Sequence, residues 1–160
     1  DEGDDHKVRG IDELVKIYYG SVGDNANLTV GLTPDKRGLI PELDFRRCKE
    51  WGDEIQSLFR NEIGCTAGKG TDYIIDLSQK QIIDQIVLQE DIKFGERVRE
   101  FKVYYRKSRK RKRWKKLFKG SCIGHKHIRK IKKVNAQAIK VKITQAIAEP
   151  ALKYIGIFKT

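Results

Sequence analysis

Between Arg106 and Lys119, 10 of 14 residues are basic: Arg106, Lys107, Arg109, Lys110, Arg111, Lys112, Arg113, Lys115, Lys116 and Lys119. Trp114 and Phe118 are set among them, and a second cluster follows with Lys126, Arg129, Lys130, Lys132 and Lys133. Cations neutralise the charge of a polyanion and release its counterions, and aromatic rings stack on what the cations hold. Arg106, Lys107, Arg109, Lys110, Arg111, Lys112, Arg113, Trp114, Lys115 and Lys116 are therefore candidate polyanion-binding residues. A sulfated glycan and a nucleic acid both fit that chemistry, and a nuclear localisation signal has the same composition. The bland alternative is a solvated loop whose like charges repel each other.

Other chemistry-bearing residues are sparse. His125 and His127 stand two apart; on a strand they would share a face, but a metal site needs three or four ligands and no third is near in sequence. Cys48, Cys65 and Cys122 form no CxxC pair and leave at least one thiol unpaired, as suits small buried hydrophobes. Asn27-Leu28-Thr29 is a glycosylation sequon at the start of an expected buried strand, where a glycan would not fit. Gly68-Lys69-Gly70-Thr71 lacks the first glycine of a phosphate loop and the strand before it, and Gly-x-Ser-x-Gly is absent. No catalytic residue, no metal site and no cofactor is expected from the sequence.

The elements that must carry these residues divide the chain. Residues 1–64 hold 9 Lys/Arg against 14 Asp/Glu, a net −5, whereas residues 65–160 hold 25 against 8, a net +17. Such asymmetry points to two units of different character. No apolar run approaches the roughly 20 residues of a membrane span, so no membrane partner is expected. The acidic start Asp1-Glu2-Gly3-Asp4-Asp5, without an initiator methionine, fits a segment of something longer.

Ile11, Leu14, Val15 and Tyr18 follow helical spacing over residues 11–20, with Asp12 and Glu13 in the first turn and Gly20 and Gly23 at the end. Leu28–Leu32 is a short apolar run of the length of a buried parallel strand. Turn residues 33–38 follow, and Pro41 opens a second helix with Phe45, Cys48, Gly52, Ile55 and Phe59 along one stripe. Helix–strand–helix is an α/β pattern. A lone parallel strand has no partner for its N–H and C=O groups, so residues 1–64 should need more protein around them. Residues 64–70 read as a small polar linker. Beyond it, 73–77, 82–88, 101–105, 139–143 and 154–158 alternate apolar with polar, the period of half-buried strands in an antiparallel sandwich or barrel. The basic run then falls at a hairpin tip, between a strand ending at Tyr105 and one beginning near Trp114.

Two stretches carry a resemblance. Asp4-Asp5-His6-Lys7-Val8-Arg9, Asp12-Glu13-Leu14-Val15, Tyr18-Tyr19, Ser21-Val22-Gly23, Asn25-Ala26-Asn27-Leu28, residues 33–41 from Thr33-Pro34-Asp35 to Pro41, and the helix bearing Lys49-Glu50-Trp51-Gly52-Asp53-Glu54-Ile55 are similar to the end of the catalytic domain of alpha-L-fucosidases. Residues 72–160 resemble the discoidin-type sandwich that follows that barrel, through Trp114, Gly120, Ile123-Gly124-His125-Lys126 and Tyr154-Ile155-Gly156-Ile157-Phe158. The resemblance implies an α/β segment, the end of a TIM-type barrel over residues 1–64. An all-β antiparallel sandwich, a discoidin-like jelly roll, would follow over residues 65–160.

It also implies a retaining glycoside hydrolase that removes alpha-linked L-fucose from glycans, using two carboxylates about 5 Å apart. Those carboxylates lie on earlier barrel strands in the family, so this segment is expected to be inactive alone. The implied partners are the remainder of the barrel and a fucosylated glycan, with an anionic glycan or other polyanion as a further candidate. The implied location is extracytoplasmic: secreted, periplasmic or lysosomal. Barrel active sites sit at the C-terminal ends of strands. With Leu28–Leu32 as strand eight, Thr33, Pro34 and Asp35 become candidates for the substrate rim, and Asp1–Asp5 falls in the preceding loop. Turn formation alone also accounts for Thr33-Pro34-Asp35.

Overall fold

The computed structural model of the chain describes residues 8–110 and 113–160. Two helices come first, α1 (Ile11–Gly20) and α2 (Glu42–Leu58). Helix α1 ends where the Gly23 N–H reaches back to the Tyr18 carbonyl. Pro41 is the residue just before α2, where its fixed φ and missing N–H cost nothing. The rest is antiparallel: β1 (Glu62–Lys69), β2 (Asp72–Glu90), β3 (Val98–Arg106), β4 (Lys115–Gly120), β5 (His127–Ala146) and β6 (Ala151–Phe158), with a 3₁₀ turn over Ile92–Phe94.

The six strands form one ladder in the order β1-β6-β2-β5-β3-β4. It folds on itself because β2 and β5 are long and bulged. Residues 72–76 of β2 pair with 138–142 of β5, and residues 81–88 pair with 127–136, with register shifts between. The first part of β2 joins the layer of β3 and β4, and the second part joins β6 and β1. Tyr73, Ile75 and Leu77 alternate inward with Phe101, Val103, Ile139, Val141 and Ile143, and they meet Ile83, Ile86, Leu88, Ile155 and Ile157 in one core. This is the arrangement of a β-sandwich. Around Ile83–Leu88 the alternation is lost because both faces are covered. The outer face there carries Val87, which with Ile128 and Phe158 packs under Tyr18, Tyr19, Phe59 and Tyr154.

Three local expectations are corrected. Residues 28–32 are not a strand: they have no ladder partner among the described residues, and Val30 and Leu32 are exposed. An apolar run becomes a strand only when a neighbour takes its backbone groups. Residues 64–70 are not a linker, since β1 runs from Glu62 to Lys69 and pairs with β6. Gly64 lies against the Ile75 and Leu77 side chains, where a larger residue would crowd the core. Strand β5 begins at His127, far earlier than residue 139, and runs through the basic segment 129–133.

Candidate functional site

At the proposed substrate rim, Thr33 and Pro34 are exposed and Asp35 organises a turn. The Asp35 carboxylate accepts from the Arg37 and Leu39 N–H groups, at 2.8 and 3.2 Å, and from the Arg37 guanidinium at 2.6 and 2.9 Å. The Arg37 hydrogen bonds hold this carboxyl below the usual carboxylate range. Around the turn the apolar surface is open: Val30, Leu32, Leu39, Ile40 and Phe45 are all exposed, Phe45 at 57%. No residue of α2 is buried. The helix keeps its apolar stripe, and among the described residues nothing covers Phe45 in its first half.

Side-chain contacts hold the base of the basic hairpin. Arg106 reaches Asp76 at 3.1 Å and lies 4.9 Å from the Trp114 ring centroid, as does the Lys140 ammonium. The Arg109 N–H donates to Gln137 Oε1 at 3.0 Å, which ties the tip down to β5. Lys107, Arg109, Lys110, Arg113, Lys115 and Lys116 are exposed, and Arg111 and Lys112 lie outside the described residues. In the second cluster, Lys126 sits over the Tyr18 and Phe59 rings at 5.8 and 5.3 Å, Lys130 over Tyr19 at 4.4 Å and Arg129 over Phe118 at 5.8 Å. Lys126 and Lys130 thus bridge helices and sheet, whereas Arg129 lies on the sandwich itself. Arg129, Lys130 and Lys132 also border a shallow groove of about 360 Å³ beside Lys116.

His125 and His127 do not form a pair. His125 is exposed before β5, and the His127 ring packs edge-on to Phe101 and stacks with Phe118. Its Nε2 has no hydrogen-bond partner, and burial holds the imidazole pKa below its ordinary value. No group of three or more metal-ligating side chains occurs among the described residues. No described helix is long and apolar enough to cross a membrane. The three cysteines are free, and Cys65 is exposed rather than buried. The expectation of a buried sequon falls with the strand at 28–32, because Asn27 is exposed in this chain.

Two buried polar groups escaped sequence reasoning. Gln85, fully buried, accepts from the Tyr19 hydroxyl and donates to the Leu58 carbonyl at 3.0 Å, so one amide clasps both helices to β2. Glu90 accepts from the N–H groups of Arg97, Val98 and Gly124 at 2.8, 3.1 and 2.9 Å. Gly124 itself has φ +58, and a Cβ there would come within 2.1 Å of the Asn25 side chain. That Asn25 carboxamide accepts from the His125 N–H and donates to Glu96 at 2.8 Å, joining the segment after α1 to the sandwich loops.

This combination of two leading helices and a folded six-stranded ladder recurs elsewhere. No family profile matches the chain. Alpha-L-fucosidase 1 of Arabidopsis thaliana is 24% identical over 181 aligned residues, covering 91% of this chain and 36% of that protein. A crystal structure from Bacteroides thetaiotaomicron VPI-5482, of a protein provisionally named alpha-L-fucosidase, superposes with a TM-score of 0.93 at 34% identity, over 99% of this chain and 36% of that one. A similarly named Bacteroides ovatus ATCC 8483 structure gives 0.81 at 31%, over 96% and 27%. These relatives and structural neighbours are named, or provisionally named, alpha-L-fucosidases. The chain spans 36% of the length of the curated relatives it matches.

Proposed function

We propose that this chain is the C-terminal part of an alpha-L-fucosidase. In this reading residues 1–64 complete the catalytic (α/β) barrel and residues 65–160 form a discoidin-like sandwich docked on it. The partner of residues 1–64 is the remainder of the barrel. The fucosylated glycan is bound there, outside the cytoplasm, with Thr33, Pro34 and Asp35 at its rim. The nucleophilic and acid/base carboxylates reside upstream, and the sandwich supports the barrel through the Gln85 clasp and the ring cluster of Tyr18, Tyr19 and Phe59.

The observation that carries this reading is the exposed belt of Val30, Leu32, Leu39, Ile40 and Phe45, where residues 28–32 have no ladder partner among the described residues. Apolar surface of that extent, next to backbone that lacks a ladder, calls for a sheet neighbour. Two arms test it. The 160-residue chain alone should not release the aryl group from an aryl alpha-L-fucoside; turnover by it would overturn the assignment of catalysis upstream. A chimera in which this chain replaces the matching segment of the Bacteroides thetaiotaomicron protein should fold and keep that protein's activity on the same fucoside. A folded but inactive chimera would overturn the barrel-completing role.

A further inference from the structure

The first part of β2, the second part of β5, β3 and β4 form one layer with an outward face. Its inward side chains are the core residues Tyr73, Ile75, Val141, Ile143, Phe101 and Val103. The alternate residues face out, and the register stacks them in rows across the strands. One row reads Asp72, Lys142, Lys102, Lys119. The next reads Ile74, Lys140, Tyr104, Lys116. A third joins Asp76, Ala138 and Arg106.

Three lysines directly opposite one another on adjacent strands are unfavourable, since like charges across a ladder repel. Strands lie about 4.8 Å apart, so Lys142, Lys102 and Lys119 mark three equally spaced cationic points. Among the described residues none of these three, nor Lys116, has an ion-pair partner. A chain keeps such a row at a cost in stability, and a ligand carrying evenly spaced negative charge offsets that cost.

We propose that this face is a binding surface for an anionic glycan, a linear sugar chain bearing sulfate or carboxylate groups, lying across the strands on Lys102, Lys119 and Lys142 with Lys116 and Lys140 beside them. The sequence places the polyanion candidates at the hairpin tip; the register points instead to the sheet face beside it. Nucleic acid suits the face less well. Single strands stack bases on free aromatic faces, and here Trp114 is engaged by Arg106 and Lys140, and Tyr104 by Lys140 at 5.5 Å. Bidentate phosphate recognition favours arginine, and the one arginine within these rows, Arg106, is committed to Asp76. Lysines act as point charges, which fits singly charged sulfate esters and carboxylates. The proposal is independent of the barrel reading.

The test compares two triple variants of the 160-residue chain that remove the same charge. In one, Lys102→Ser, Lys119→Ser and Lys142→Ser empty the row; in the other, Lys107→Ser, Arg109→Ser and Lys110→Ser strip the tip. Affinity for a heparin oligosaccharide is measured at low and near-physiological salt, with a single-stranded DNA oligonucleotide of equal charge as competitor. The row variant should bind about tenfold or more weakly, with a shallower salt dependence, and the tip variant should stay within about threefold of the parent. An equal or larger loss in the tip variant overturns the site. DNA displacing heparin at lower concentration than heparin itself overturns the ligand class. Thermal unfolding in low salt guards against a folding artefact: relief of repulsion should leave the row variant at least as stable as the parent, and a lower melting temperature overturns the argument from the row.

Discussion

Three backbone N–H groups, from Arg97, from Val98 at the start of β3 and from Gly124, converge on the Glu90 carboxylate, which is 1% exposed. Truncating it leaves those donors buried without acceptors, and an unsatisfied buried donor costs about 1–3 kcal/mol. Glu90→Ala should therefore destabilise by about 3 kcal/mol or more in chemical denaturation, and Glu90→Gln, which keeps one acceptor oxygen, by clearly less. A loss for Glu90→Ala within the range of a surface substitution would show that water replaces the carboxylate.

His127 works in the opposite direction to a salt-bridged histidine. Burial depresses its folded pKa below the ordinary 6.5, so the unfolded chain binds a proton that the folded chain refuses. Stability is then complete above that ordinary value and falls as pH drops through it toward the folded value. His127→Phe keeps a ring between Phe101 and Phe118 without a titrating nitrogen. The fall in melting temperature from about pH 7.5 to about pH 5.5 should be smaller in the variant than in the parent. Equal falls would remove His127 as the source. Neither residue was legible in the sequence: Glu90 reads as the polar end of a strand, and His127 as half of a pair with His125, because burial is set by partners distant in the chain.

The elements divide by how much of their definition is local. Helix α1, helix α2 and the central parts of β2, β3, β5 and β6 were readable, because apolar spacing decides them and the core satisfies that spacing. Strand β1 was hidden by Gly64, Gly68 and Gly70, which read as a linker; it exists because β6 offers it a ladder, and Gly64 is small because Ile75 and Leu77 lie against it. The early part of β5 was hidden by its cations, which the sheet tolerates on its outer side and at a bulge.

Residues 28–32 show the reverse error, apolar character without a neighbour. That open region sets an expectation for α2 and the loop before it. Ile40→Ser with Phe45→Ser should lower binding of a hydrophobic dye. Both positions are exposed, so stability should change by no more than about 0.5 kcal/mol. A large loss of stability would mean that these side chains already have a partner within the chain.

At the scale of the molecule, the division of charge is the feature that composition conveyed best. Residues 1–64 carry −5 and residues 65–160 carry +17, so the cationic excess falls on the strands, although the division at residue 64 lies inside β1. Composition carried the cations but not their rows, since a row is a property of register between strands more than 10 residues apart in sequence. The candidate rim at Thr33, Pro34 and Asp35 was legible only as a turn, and its Asp35–Arg37 contact is local.

Strands β2 and β5 each serve in both walls of the sandwich. The two walls are therefore one sheet with two creases, more like a folded card than a pair of boards. A clip in either long strand would open both walls together, whereas a nick in the tip between β3 and β4 would leave the creases whole. Insertions, tags and grafted loops have a natural seat at that tip, and the interior of β2 or β5 has room for none.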